Sequence, residues 1–255
     1  MATSESRRRK QLEKKKKKRD GKRHELVLKS NMSHAEKVLL RSKSPIMECI
    51  MGESLKSRGI GPVIIARRVS TGEILLSNFL VDRYCLGVKD CFAKFVYPSQ
   101  YQEMLDGMTA RGREFMRIDA PSARRLVEDA VEFAGRYDLK PHPDYRTAKL
   151  IFGDIDASAG RQLVEMGKDG KPFYVSGPFE SERDSMEIMS KLGAATGQGG
   201  FHYMTKVSGT AAMQLLGESE ILAIESDEFG ENDDEDDTSE FEFGTDDAES
   251  DSEAA

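Results

Sequence analysis

The chain has 255 residues, of which 38% are apolar and 33% charged, and its formal net charge is −7. That length accommodates one sizeable domain or two small ones. No apolar run approaches the ~18 residues of a spanning helix and no apolar segment follows the basic N-terminus, which argues against a membrane span, a secretory signal and a transit peptide. Three cysteines, Cys49, Cys85 and Cys91, fit a reducing, cytoplasmic setting better than a disulfide framework.

The charge is polarised along the chain. Residues 1–24 carry twelve Lys/Arg and three Asp/Glu, a net of +9. "RRRKQLEKKKKKRDGKRH" (7–24) contains Leu12 as its one aliphatic residue. Such a segment buries too little apolar area to offset chain entropy, so a disordered arm or a frayed, solvated helix is expected over residues 1–29. Patterned sequence begins near residue 30. "SHAEKVLLRS" (33–42) reads as a short helix with Ser33 as N-cap and Glu36 completing a capping box. "SPIMECIMGESLKSRG" (44–59) opens on Ser-Pro and suggests a second helix. "GPVIIARRV" and "EILLSNFLVD" flank "STG", which predicts a β-hairpin turning at Gly72.

Further helices are predicted over 98–112, from Pro98 to Gly112, and over 119–139. In the second, Asp119 is the cap and Leu126, Ala130, Ala134 and Tyr137 form an apolar stripe. "HPDYRTAKLIFG" (142–153) reads as another helix, with Pro143 early and Gly153 closing it. A second hairpin is expected over 161–177 around Asp169-Gly170. A helix over 181–193 capped by Ser181 and Asp184, a strand over 199–207 and a last helix over 210–224 follow. Hairpins interleaved with helices, without regular βαβ alternation, point to an α+β fold in one domain, residues 30–222. The 162–207 stretch resembles a β-β-α-β layer that could join the first hairpin's sheet or form its own lobe. Residues 223–255 form the acidic counterpart of the arm. From 225 onward they hold sixteen Asp/Glu and no Lys/Arg, with Phe229, Phe241 and Phe243 scattered among them. Like charges keep such a tail extended.

The densest chemistry is "FLVDRYCLGVKDCF" (79–92). Cys85 and Cys91 are spaced too widely for a usual zinc pair and have only Cys49 to join them, so small buried apolar roles suit them better. Asp82 and Asp90 read as turn and cap residues rather than a catalytic pair. "HPDYRTAKLIFGDID" (142–156) offers His142, Asp154 and Asp156, the best available set for a metal-dependent hydrolase, with Asp154 and Asp156 as hard-cation ligands and His142 as base. Asp144 and Asp154 equally suit ordinary positions flanking a helix. "SGPFESERD" (176–184) leads a strand into a helix N-terminus but lacks the glycines and lysine of a phosphate loop. "GQGG" (197–200) fits a helix C-cap and turn, and His202 a packed or surface strand residue. No cofactor is predicted.

At "GIGPVIIARRVSTGEILLSNFLVDRYCLGVKD" and "HPDYRTAKLIFGDID" the chain resembles a family of bacterial proteins without an assigned activity. They pair a hydrophobic hairpin with a Val-Asp…Cys-Leu-Gly-Val-Lys-Asp turn. The resemblance spans roughly residues 45–205, excludes both tails and implies a cytosolic bacterial protein; it carries over no catalytic residues.

The strongest functional signal is therefore the arm. Arg7, Arg8, Arg9, Lys10, Lys14, Lys15, Lys16, Lys17, Lys18, Arg19, Lys22 and Arg23 can neutralise phosphates and release counterions, and without an aromatic to stack bases they favour sequence-tolerant contact with RNA or DNA. The acidic tail would compete with nucleic acid and tune that contact. This reading is of a non-enzymatic, cytoplasmic interaction protein with no membrane partner. The alternatives are the hydrolase using His142, Asp154 and Asp156, helped by Asp82 or Asp90, and an adaptor that docks a basic protein through its acidic tail.

Overall fold

The computed structural model describes residues 14–17, 19, 32–177, 180–197 and 199–204, all within the compact unit Met1–Ser219. The fold is α+β. A five-stranded antiparallel sheet in the order β4-β3-β2-β1-β5 is built from β1 (Ile46–Gly52), β2 (Ile60–Arg68), β3 (Ile74–Asp82), β4 (Gly87–Val96) and β5 (Phe115–Arg117). The β2–β3 hairpin is the one expected from sequence, in register from Ile60↔Asp82 to Arg68↔Ile74, and Gly72 supplies its turn at φ +91°.

Both faces of the sheet are covered, which is why its strands read as nearly continuous apolar runs. One face packs on α4 (Ala120–Gly135) and on α5 (Tyr145–Ala148) with the 3-10 turn Lys149–Phe152 that extends it. The core there joins Met51, Val63, Ile65, Leu75, Phe79 and Val88 to Leu126, Val127 and Ile151. The opposite face, with Ile50, Ile64, Ala66, Ile74 and Leu76, receives Tyr101, Met104, Leu105 and Met108 from α3 (Pro98–Ala110). Asp119 caps α4 by accepting from the Ser122 N–H at 2.9 Å. Helix α1 (His34–Arg41) begins with the capping box read from sequence, the Ser33 N–H donating to Glu36 Oε2 at 2.7 Å.

Three expectations are corrected. The segment 44–59 is not one helix: Ile46–Gly52 is strand β1, and only the short α2 (Ser54–Ser57) is helical. Its Cys49 and Met51 feed one core and Ile50 the other, so burial on two sheet faces overrides a helical reading of an ambiguous apolar run. The helix expected over 142–153 shortens to one α-turn followed by a 3-10 turn. The second hairpin does not form. Asp169 and Gly170 do adopt left-handed conformations, at φ +54° and +77°, and close a turn through the Lys168↔Lys171 bridge. The strand after that turn, β6 (Phe173–Val175), pairs instead in parallel with β7 (His202–Met204). Helix α6 (Glu182–Thr196), opened by the Ser181–Asp184 capping box, connects them. This β-α-β unit is a separate two-stranded sheet with its own core of Tyr174, Met189, Leu192 and Phe201 around Cys85 and Ala134. The helix expected at 210–224 lies outside the described residues.

Candidate functional site

The stretch "FLVDRYCLGVKDCF" is a structural hub. Its strand β3 ends at Asp82, a buried carboxylate that accepts backbone N–H groups from Tyr84 at 2.9 Å, Cys85 at 3.1 Å and Leu86 at 3.3 Å. Burial pushes the Asp82 carboxyl up, opposed by those three donors and by Lys89. Gly87, at φ +71°, then lets the chain re-enter the sheet; a Cβ here would stand 2.8 Å from the Ala130 carbonyl oxygen on α4. Arg83 stacks on the Tyr84 ring, 4.2 Å from its centroid. Its guanidinium donates to the carbonyls of Leu55 and Glu165, each at 2.8 Å, which ties α2 and the segment before β6 to this turn.

A polar network joins β4 to the β6-α6-β7 unit. Lys89 Nζ lies 3.0 Å from Glu180 Oε1. The Tyr174 hydroxyl donates to Glu180 Oε2 at 2.5 Å and stands 2.9 Å from Ser185 Oγ. Burial alone would raise the Glu180 carboxyl, but bonds from Tyr174 and Lys89 outweigh it and hold the group below its ordinary value. Tyr174 is pushed upward by burial and by donating to that carboxylate. Arg67 makes a comparable clasp on the other core. It is buried, donating to Ile151 O at 2.8 Å, Ser44 O at 2.6 Å and Phe152 O at 2.9 Å. Sequence reading missed both clusters. Their partners lie far apart in the chain, and nothing at Lys89, Glu180 or Arg67 alone announces a pair.

The hydrolase constellation is dispersed. His142 donates its backbone N–H to Val88 O, and its Nε2 lies 4.0 Å from Asp90 Oδ1. Asp154 is exposed and faces Arg67 at 3.8 Å. Asp156 accepts from the Ser158 N–H at 2.9 Å and its hydroxyl at 2.8 Å, starting the 3-10 turn Ala157–Ala159. Among the described residues no group of three or more His, Cys, Asp or Glu side chains is arranged to hold a metal ion. The structure thus brings His142 to Asp90 rather than to Asp154 and Asp156, and gives each aspartate a local structural partner. Asp82, the other carboxylate weighed for that role, is occupied by backbone donors.

The three thiols are free and buried. Burial pushes Cys49 and Cys91 up to about 12, and Cys85 also upward. An open, shallow cleft between α2 and β5 is edged by Glu53, Lys56, Arg113 and Glu114, a balanced set that favours neither charge of ligand.

Within the arm, Lys14, Lys15, Lys16, Lys17 and Arg19 are helical and exposed. Arg7, Arg8, Arg9, Lys10, Lys18, Lys22 and Arg23 lie outside the described residues, as does the acidic tail. Successive lysines on a helix surround its axis with like charge, an arrangement that destabilises an isolated helix and that a polyanion relieves. No helix among the described residues is long and apolar enough to cross a membrane. Comparisons with protein-family models, with curated proteins and with solved structures return no significant match.

Proposed function

We propose that this is a non-enzymatic, cytoplasmic nucleic-acid-binding protein that engages the phosphodiester backbone of RNA or DNA through its basic arm. The observation that carries the reading is the exposed cationic helix of Lys14–Lys17 and Arg19, set in a 24-residue segment of net charge +9 that contains no Phe, Tyr or Trp. Charge without stacking or base-edge donors in a fixed frame gives affinity for phosphates and tolerance of sequence. Residues 225–255, with sixteen carboxylates, compete electrostatically for the same cations and set the affinity at a given ionic strength.

Fluorescence anisotropy of labelled RNA and DNA against salt tests this. If about six phosphates are neutralised, log K falls against log salt with a slope near −5. Deleting residues 1–24 weakens binding steeply, deleting 225–255 tightens it, and scrambled sequences bind alike. Absence of binding by the version lacking only the acidic tail overturns the reading. Capture of a basic protein, lost on deleting 225–255 but not 1–24, would replace it with the adaptor.

A further inference from the structure

The folded domain carries five further cations, on two adjoining elements, that the arm does not account for. α1 and the turn after it hold Lys37, Arg41 and Lys43, and α5 with its 3-10 extension holds Arg146 and Lys149. These elements adjoin. α1 packs along both α5 and the 149–152 turn, and a Cβ placed on Gly153 would stand 2.3 Å from the Ser42 carbonyl oxygen. Lys37, Lys43, Arg146 and Lys149 are exposed, and Arg41 is half-buried.

What distinguishes this surface is the lack of local neutralisation. On α4 and at its C-cap, Arg124, Arg125 and Arg136 each have a carboxylate one turn away, at 2.8, 3.4 and 2.9 Å. Among the described residues no carboxylate lies within 4.0 Å of any of the five cations on α1 and α5. The nearby acids are engaged elsewhere or peripheral: Glu36 is bound back to Ser33, Asp154 faces Arg67, and Asp144 is exposed at the N-terminus of α5. On the same helix, Leu39 and Leu40 are 56% and 51% exposed.

We infer that α1 and the Arg146–Lys149 turn form the folded half of the nucleic-acid interface, taking phosphates of the same molecule that the arm engages, with Leu39 and Leu40 against sugar edges. The inference rests on the arm's proposed role and extends it. The arm follows the like-charged surface in sign and precedes it directly in sequence. Cations on a helix that is already capped and packed need little backbone ordering on binding, so more of their attraction to phosphate appears as affinity. Sugar contact by the leucines adds a component that salt does not screen.

The test uses the full chain, labelled single-stranded DNA and labelled duplex RNA, and three variants: Lys37→Gln/Arg41→Gln/Lys43→Gln, a deletion of residues 1–24, and both together. Circular dichroism and melting temperature verify the fold. Should the triple variant melt early, Lys43→Gln/Arg146→Gln leaves the helix itself almost untouched. The triple variant is expected to bind at least tenfold more weakly than the parent, with a salt slope shallower by about 2 to 3. Binding equal to the parent in the triple variant, combined with loss on deleting the arm, overturns the folded interface and leaves the arm reading standing. Unchanged binding on deleting the arm overturns the arm reading, and loss in the triple variant then supports the folded surface alone. Labelled polyglutamate held as tightly as nucleic acid, and released by the same three substitutions, would assign the surface to acidic proteins and overturn the inference.

Discussion

Asp82 and Arg67 are buried side chains occupied by backbone groups, and their removal has calculable consequences. Asp82 terminates β3 by accepting three successive N–H groups. Asp82→Ala leaves those donors without partners and is expected to cost about 2 kcal/mol, whereas Asp82→Asn, which keeps one acceptor oxygen, costs less; urea denaturation separates the two. Arg67→Met strips the acceptors Ser44, Ile151 and Phe152 of their shared donor and should cost about 3 kcal/mol by the same measurement. Glu180 sets a pH dependence. Its folded carboxyl lies below the ordinary value, so its contribution is fully present above the unfolded pKa and is lost as pH falls through the folded one. Glu180→Gln is therefore expected to lower stability at neutral pH and to flatten the acid limb of a stability–pH profile. An unchanged acid limb would remove Glu180 as its source. The thiols give a fourth check. With Cys49 and Cys91 pushed up to about 12 and all three buried, a thiol reagent should label none quickly in the native protein and all three after unfolding.

At the level of elements, local signals and tertiary packing divide the work. The capping boxes of α1 and α6, the Asp119 cap and the Gly72 turn are short-range chemistry, and each was legible because the interacting groups lie within four residues of one another. Gly87 combines a local and a distant constraint: its φ is +71° and its missing Cβ makes room for the Ala130 carbonyl and Ala134 on α4. Gly72 has the first constraint alone, since nothing lies within 4 Å of a Cβ built there. Gly87→Ala should accordingly lower the melting temperature well beyond Gly72→Ala, which carries only the left-handed penalty of about 1 kcal/mol. Equal losses would show that α4 yields to the extra methyl. The strand β1 and the parallel pairing of β6 with β7 were not legible. The apolar run in Ile46–Gly52 has no clear period. The partners of β6 are separated from it by the whole of α6.

For the whole molecule, the proposed function rests on the opposite charges of residues 1–24, net +9, and residues 225–255, with sixteen carboxylates. Removing residues 225–255 should raise nucleic-acid affinity most at low salt and progressively less as screening grows; an affinity gain independent of salt would rule out electrostatic competition.

The amino-acid sequence by itself determined the α+β class, the first hairpin, the helix caps and the polarised charge, because each is expressed by neighbouring residues or by composition. Tertiary structure alone decided the fate of the isolated functional candidates. His142 meets Asp90 instead of Asp154 and Asp156. Lys89 finds Glu180, a partner far away in the chain, and α1 comes to lie beside α5. Ion pairs and charged surfaces are set by distance in space, and no regularity in sequence spacing encodes them when the partners belong to elements brought together only by burial of a common core.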